Sequence, residues 1–337
     1  MVKRNLAPAA LVALSLFSFS QGASAVMLEL ALVIDGSGSI SGPNGSLTNP
    51  SNKTIPPDYG DWGLQLDAYR NVFQNNFYSN IVGPSNVDTV VAAALIFSGG
   101  ASFSIDPGTP NDPNDDIVTE YSVFSFIDWE VISDDATAAS FGSKFDKTVI
   151  PHPGGTTATS EALDIALNGG LIGCPDPSQC SPVAALQPPF QNSFDGLLDN
   201  GFDGDFLVID ISTDGDPTEP NSNGNRENPP SANNLLDDQL AIASADNARA
   251  NGVTVNAIGV GPDINSALLA ALVGDNPAAS QNAGFFLSAS NFAQFEATLQ
   301  QKVELEVANI PIPATLPLFI SGLFGWGFWQ RRRKTQS

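Results

Sequence analysis

A nearly unbroken apolar run, residues 28–34, ends abruptly in a polar loop, and this junction constrains the fold more than any other stretch of the chain. The loop alternates side-chain oxygens with glycines, in the order Asp35, Gly36, Ser37, Gly38 and Ser39. The apolar run predicts a buried parallel strand, and ligands bind at the carboxyl ends of such strands. Because the glycines allow a tight turn, the three oxygen-bearing side chains can face one point. Ligands that are all oxygen favour a hard cation such as Mg²⁺ or Ca²⁺.

The pattern Asp-x-Ser-x-Ser after a hydrophobic strand resembles the metal-ion-dependent adhesion site (MIDAS) of von Willebrand factor type A (VWA) domains. That family also uses a threonine and a second aspartate from two later loops. The resemblance implies Thr156, in a Gly-Gly-Thr-Thr segment, and Asp214, which follows the apolar run 206–211. The implied site for Mg²⁺, Ca²⁺ or Mn²⁺ comprises Asp35, Ser37, Ser39, Thr156 and Asp214. Helix capping and turn chemistry are the alternative explanation for the serines and Thr156.

Strands and helices alternate along the chain, which predicts a doubly wound α/β fold of the VWA or Rossmann-like kind. We expect one VWA domain over 26–309, with a mostly parallel central sheet and helices on both faces. The predicted strands are 28–34, 89–97, 117–132, 206–211, 253–260 and 285–288. The predicted helices are 61–77, 134–147, 160–168, 233–250, 264–272 and 292–307. Long insertions are expected near 41–60, 98–116, 173–204 and 216–230.

The first 25 residues have the three parts of a secretory signal peptide. They comprise Lys3 and Arg4, a mostly apolar run at 6–19, and Ala-Ser-Ala at 23–25. We expect cleavage after Ala25 and export of the mature protein.

Residues 310–337 combine a prolyl motif, a short apolar segment and a basic tail. As a helix, 314–329 would span about 24 Å, short of the ~30 Å hydrocarbon core, so the transmembrane segment at 316–329 is marginal. The basic cluster 331–334 is expected to stay in the cytoplasm, which leaves the domain outside. The alternative to a processed signal is a plain membrane anchor.

This arrangement resembles the PEP-CTERM sorting signals that exosortases process in Gram-negative bacteria, in their Val-Pro-Leu-Pro-Ala (VPLPA) variant. The matching residues are Pro311, Pro313, Arg331, Arg332 and Arg333. The resemblance implies an inner-membrane-anchored precursor, an exosortase-type processing enzyme, and a mature form at the cell surface or outside the cell.

Acidic residues far outnumber basic residues in the expected domain. Six of the 13 basic residues lie at the two ends, so 26–309 holds seven against all 36 acidic residues, a formal charge of −29. Phosphate binding needs a basic surface, so nucleic acid is excluded as a partner. The acidity is typical of a protein that is soluble in a salty or divalent-rich exterior.

Cys174 and Cys180 are expected to form a local disulfide because the chain is exported. Closing so short a loop would stabilise the fold by about 2 kcal/mol. The single histidine, His152, precedes the Thr156 loop and is interpreted as an ordinary loop residue.

Two polar segments resemble further calcium sites in composition. Four aspartates between 98 and 116 offer one, and turn chemistry explains them equally well: Asp106, Asp112, Asp115 and Asp116. Residues 199–204 lack an acid or asparagine at the third position of a calcium loop and continue into a strand, which excludes an EF-hand there.

The leading hypothesis is a metal-dependent, adhesion-type binding module, not an enzyme, displayed at the cell surface or in the extracellular matrix. Hydroxyl ligands leave the metal much of its charge, and the resemblance implies a carboxylate from a protein or polysaccharide partner as the missing ligand. One alternative is a structural matrix or biofilm component whose metal only stabilises the fold. A metal-assisted hydrolase is disfavoured, since the sequence lacks Gly-x-Ser-x-Gly and His-Glu-x-x-His and offers only His152 as a base.

Overall fold

The strands form where apolar and β-branched residues cluster, and six of them build one sheet. The computed structural model describes residues 25–40, 60–105, 117–150, 152–154, 157–171, 191, 193–215, 234–262, 264–274, 283–308 and 310. The strands are β1 (Met27–Asp35), β2 (Thr89–Ile105), β3 (Ile117–Ile132), β4 (Gly170–Leu171), β5 (Ser193–Phe194), β6 (Phe206–Thr213), β7 (Val253–Val260) and β8 (Phe286–Ala289). The main sheet has the order β3-β2-β1-β6-β7-β8, and β4 pairs with β5 separately.

All neighbours in the main sheet pair in parallel except β2 and β3, which are antiparallel. The mixed, mostly parallel sheet predicted from the sequence is therefore confirmed. β2 continues past the expected end at 97 to Ile105 and pairs with the start of β3. The insertion near 98–116 thus begins as a two-stranded ribbon. Its four aspartates, Asp106, Asp112, Asp115 and Asp116, lie outside the described residues.

Within the described ranges, six α-helices cover the two faces of the sheet. They are α1 (Gly60–Gln74), α2 (Asp135–Ser143), α3 (Thr159–Asn168), α4 (Asn234–Ala250), α5 (Ser266–Val273) and α6 (Phe292–Ala308). One buried apolar cluster joins α1, α2 and α6 to the sheet, and a second joins α3, α4 and α5 to its opposite face. Helices on both faces, as predicted, are confirmed.

Local chemistry explains where two of these helices begin and end. Asp134 caps α2, because its side chain accepts the Thr137 amide in a capping box. The helix α1 ends at Gln74, three residues before the predicted position 77, and Asn76 just beyond it adopts a left-handed φ of 56°. A π-helical turn at Tyr78–Val82 follows.

The order of the strands leaves one edge of the sheet open, the edge formed by the carboxyl ends of β1 and β6. After β1 the chain passes through α1, on one face of the sheet, to β2, which lies on one side of β1. It later passes through α3, on the opposite face, to β6, which lies on the other side of β1. Such a reversal leaves a crevice at the carboxyl ends of the two central strands. Asp35 ends β1, and Asp214 follows β6 directly, so both lie at this edge.

Glu29 is an unexpected buried acid in the middle of β1. Its carboxylate accepts a hydrogen bond from Asn200 Nδ2 at 2.6 Å and another from the Gly204 amide. Glu29 therefore fixes the loop 199–204 that enters β6, which gives this loop a structural role consistent with the exclusion of an EF-hand.

A buried ion triad connects the last helix to the centre of the sheet. Lys302 of α6 forms ion pairs with Asp210 of β6 and with Glu306 one turn further along α6. All three side chains are enclosed, and Asn256 of β7 donates to Glu306 Oε1 at 2.8 Å. Burial raises the pKa of Glu306 to about 7 and also raises the pKa of Asp210. One lysine thus serves two buried carboxylates.

We predict that the triad makes the fold less stable as the pH rises from about 4.5 to about 7. Over this window the folded protein binds more protons at Glu306 than the unfolded chain does, so the free energy of unfolding falls with pH. The expected fall is on the order of 2 kcal/mol. Urea denaturation in chelator at a series of pH values measures it. The Glu306→Gln variant should show a flatter profile, and parallel profiles for the two proteins would contradict the prediction.

Both ends of the chain, 1–24 and 311–337, lie outside the described residues. Among the helices that the structure describes, none combines the length and apolar character needed to cross a bilayer. The signal peptide, the sorting signal and the Cys174–Cys180 disulfide stay predictions.

Candidate metal centre

The structure brings four of the five predicted site residues together at the open edge of the sheet. β1 and β6 pair in register up to Ile34 and Ser212, so Asp35 at the end of β1 lies level with Thr213, and Asp214 follows directly after β6 at the same edge. Asp35 is fully buried and Asp214 is partly exposed. The fifth residue, Thr156, lies outside the described residues, and its contribution stays a prediction.

A continuous chain of hydrogen bonds links the polar side chains of the two loops. The hydroxyl oxygens of Ser37 and Ser39 are 2.8 Å apart, and Ser39 Oγ donates to Asp214 Oδ1 at 2.6 Å. This places two hydroxyls and a carboxylate in mutual contact, as expected if they face one point.

The carboxylate of Asp35 lies beneath this chain and is held at both oxygens. Its Oδ1 accepts the Ser37 amide at 2.8 Å, and its Oδ2 accepts the hydroxyl of Thr213 at 2.6 Å. Thr213 is not among the site residues that the sequence predicts. Its position directly before Asp214, at the end of the strand beside β1, is the signal that could have identified it.

The two carboxylates form an electronegative centre. The pKa of Asp35 is raised to about 6, first by burial and then by the negative charge of Asp214. The pKa of Asp214 is also raised, chiefly by burial, with a smaller effect from the charge of Asp61 in the first turn of α1. Within the described part of the chain, no ion pair includes Asp35 or Asp214.

His152 contacts the backbone of the Ser37 loop, so it has a supporting role beyond that of the ordinary loop residue expected from the sequence. Its Nε2 lies 2.9 Å from the Ser37 carbonyl oxygen, and its ring packs on Trp62 with centroids 5.3 Å apart. Partial burial lowers the pKa of His152. The ring therefore braces the backbone of the loop.

The backbone of residues 152–154 is attached to the same loop. The Gly154 amide donates to the Gly36 carbonyl at 3.0 Å, and Ser98 Oγ donates to the Gly154 carbonyl. Only glycine fits at position 36, because a Cβ there would lie 2.7 Å from Ile96 Cγ2. The segment that leads into the predicted Thr156 loop is thus fixed beside the site.

The donor set fits a hard divalent cation. It consists of carboxylate and hydroxyl oxygens, which Mg²⁺, Ca²⁺ and Mn²⁺ prefer, and a cation would offset the repulsion between Asp35 and Asp214. Among the described residues, those of this site included, no group of three or more His, Cys, Asp or Glu side chains is placed to hold a metal. The site near β1 and β6 depends instead on two carboxylates supplemented by hydroxyls.

No protein-family model matches the sequence, and no curated protein matches it significantly. Solved structures do resemble the fold. The PilB minor pilin from Streptococcus sanguinis superposes with a TM-score of 0.50 at 12% identity, over 86% of this chain and 64% of the pilin. This likeness indicates a shared fold.

Weaker likenesses extend to two further proteins. Proximal thread matrix protein 1 from the mussel byssus, in a form with a zinc-occupied MIDAS motif, has a TM-score of 0.41 at 16% identity, over 84% of this chain and 46% of that protein. The VWA domain of SpRpn10 has a TM-score of 0.38 at 13% identity, over 80% of this chain and 95% of that domain. The chain thus spans less than two thirds of the length of the byssus protein and of the pilin.

Proposed function

We propose that this protein is an exported VWA-type module that binds a partner through a divalent metal ion. The observation that carries the proposal is the hydrogen-bonded chain Ser37–Ser39–Asp214 above the buried Asp35, at the crevice between β1 and β6. An oxygen-lined centre of this kind suits cation binding.

Each residue has a distinct role in the proposed site. Ser37, Ser39 and the predicted Thr156 would supply hydroxyl oxygens, and Asp214 a carboxylate at the exposed side. Asp35, which Thr213 and the Ser37 amide hold in place, would orient the serine loop and supply the buried negative charge. When bound, a divalent ion would supply an electrophilic position for a carboxylate oxygen of the partner.

The surroundings of the site suit partner selection. The loops that follow β1 and β6 leave the sheet at the same edge as Asp35 and Asp214, and residues 41–59 and 216–233 continue from them. Loops carried by a rigid sheet are common sites of specificity. We propose a protein or polysaccharide that presents a carboxylate as the partner class.

Export and sorting are part of the same proposal. The N-terminal segment would direct secretion with cleavage after Ala25. Residues 310–337 would hold the precursor in the inner membrane until an exosortase-type enzyme releases it to the surface or the surroundings.

The test separates a binding module from a structural metal site. Calorimetric titration of Mg²⁺, Ca²⁺ and Mn²⁺ into metal-stripped protein should show one site. Capture of a partner from the surface fraction of the producing organism should require the metal, and circular dichroism in chelator should still show the folded domain. If chelator unfolds the domain, the metal is structural; if no ion binds, the proposal is wrong.

A further inference from the structure

Val26 holds a fixed position at the start of the described domain. Its side chain is 6% exposed and belongs to the apolar cluster beneath α1 and α6, whereas Ala25 is exposed. Its carbonyl accepts the amides of Asp88 at 2.9 Å and Thr89 at 3.3 Å. Because side chain and carbonyl are both held, the Val26 nitrogen is held as well.

That nitrogen points at a carboxylate. The Val26 amide donates to Asp88 Oδ2 at 2.8 Å, and the next amide, that of Met27, donates to Asp205 Oδ2 at 2.9 Å. Asp88 is itself positioned, because Tyr78 Oη donates to its carbonyl at 2.9 Å. Among the described ion pairs, none includes Asp88 or Asp205. Two acids therefore converge on the first two amides of the domain.

We propose that Asp88 is the binding site for the mature N-terminus, which forms when an export peptidase cleaves between Ala25 and Val26. The inference rests on the proposed export of the protein. Hydrolysis adds one water across the peptide bond: Ala25 leaves with the new carboxyl group, and the amine of Val26 takes a proton to become an ammonium. The ammonium nitrogen occupies the place of the amide nitrogen, so the hydrogen bond from a neutral amide to the Asp88 carboxylate becomes an ion pair.

The consequence is that processing stabilises the domain. A hydrogen bond between two charged groups is shorter and stronger than one from a neutral amide to a carboxylate. Val26 is also the first buried residue in the part of the chain that the structure describes, and Ala25 before it is exposed, so cleavage at this bond leaves no exposed overhang ahead of the core. The neighbouring Asp205 adds a second negative charge close to the ammonium.

The test uses the chain as it is exported. Mass spectrometry first identifies its N-terminal residue. The thermal midpoint is then compared between the processed chain and the same chain acetylated at its α-amino group at mildly acidic pH, where lysines stay protonated. Acetylation retains the N–H but removes the charge. We expect the midpoint to fall by about 3 °C on acetylation.

The variant Asp88→Asn should abolish this difference, and Asp128→Asn, an equal change of charge on β3, should retain it. Labelling of the α-amino group by an amine reagent gives a second readout, because only the neutral amine reacts. It should be roughly fivefold slower in the wild type than in Asp88→Asn.

The outcomes separate the inference from the proposed export. A chain that begins at Val26 but shows no effect of acetylation, with equal labelling in the wild type and Asp88→Asn, leaves export intact and overturns the role of Asp88. A mature chain that begins at a residue other than Val26 overturns the inference, because cleavage then does not occur between Ala25 and Val26. A chain that keeps residues 1–25 contradicts both.

Discussion

Replacing Asp214 by alanine is expected to abolish divalent-metal binding while leaving the fold intact. Among the described residues of the candidate centre, Asp214 is one of two carboxylates and the one that accepts the Ser39 hydroxyl. Its loss removes both a negative charge and the group that orders Ser39. We expect affinity to fall by at least about 100-fold, beyond the 10- to 100-fold typical of residues that act behind the ligands. Calorimetric titration of Mg²⁺ and Mn²⁺ measures this loss.

The stability of the metal-free protein provides an independent test that the Asp214→Ala variant stays folded. The charge of Asp214 raises the pKa of Asp35, so its removal relieves a repulsion at the same time as it breaks the Ser39 hydrogen bond. The free energy of unfolding of the metal-free variant should therefore lie within about 1 kcal/mol of the wild-type value. Asp128→Ala on β3 is the matched control and should bind metal normally. Unchanged affinity in Asp214→Ala would exclude Asp214 as a ligand.

Replacing Lys302 by methionine is expected to destabilise the domain severely. The substitution removes the positive charge between Asp210 and Glu306 and leaves two acids enclosed in the core. Breaking a buried ion pair from one side typically lowers the free energy of unfolding by about 3–5 kcal/mol. At roughly 2–4 °C per kcal/mol, the thermal midpoint should fall by about 10 °C. Thermal unfolding in chelator measures the effect without a contribution from metal.

The same substitution at Lys144 is the matched control. Lys144 pairs with Glu130 at the surface, where both side chains are substantially exposed, so Lys144→Met should change stability by less than about 1 kcal/mol. Adding Asp210→Asn and Glu306→Gln to Lys302→Met should recover part of the loss, because the uncompensated charges are then absent. Equal effects of Lys302→Met and Lys144→Met would show that the triad does not support the core.

The sequence predicted the sheet and the position of the site for one reason. Parallel strands buried on both faces are apolar throughout, so the point where each run ends in an acid is visible in the sequence. Asp35 and Asp214 both follow such runs, and the structure places them at the same edge, at the ends of the paired strands β1 and β6. The pairing of β1 with β6 depends on the order of strands in the sheet, which the local pattern does not give; the family resemblance implied only that the two loops share one site.

The buried polar groups could not be predicted in the same way. Lys302 and Glu306 are four residues apart, a spacing that is usual for an exposed pair on a helix. Only the packing of α6 on β6 and β7 encloses them beside Asp210, and that packing is a long-range property. Glu29 and His152 are similar cases, since their partners, the loop 199–204 and the Ser37 carbonyl, are distant in sequence.

The extension of β2 had a different cause. Residues 98–100, Ser-Gly-Gly, favour a loop by local propensity, yet β2 continues beyond them, because residues 101–105 pair with β3 again after a register shift. The partners are residues 117–121 at the start of β3, and local propensity does not show which strand they pair with.

The direction of α6 determines how the domain would respond to a pulling force. The helix starts near the carboxyl ends of the strands and runs back along the sheet, so Ile310 lies at the edge opposite to Asp35 and Asp214. Tension between a partner at one edge and the C-terminal segment at the other would act along the strands. The hydrogen bonds of β1 to β2 and β6 would then be loaded in shear, many at once, instead of being opened one after another. The Lys302 triad would pass the same tension from the helix to β6, the strand that ends beneath Asp214.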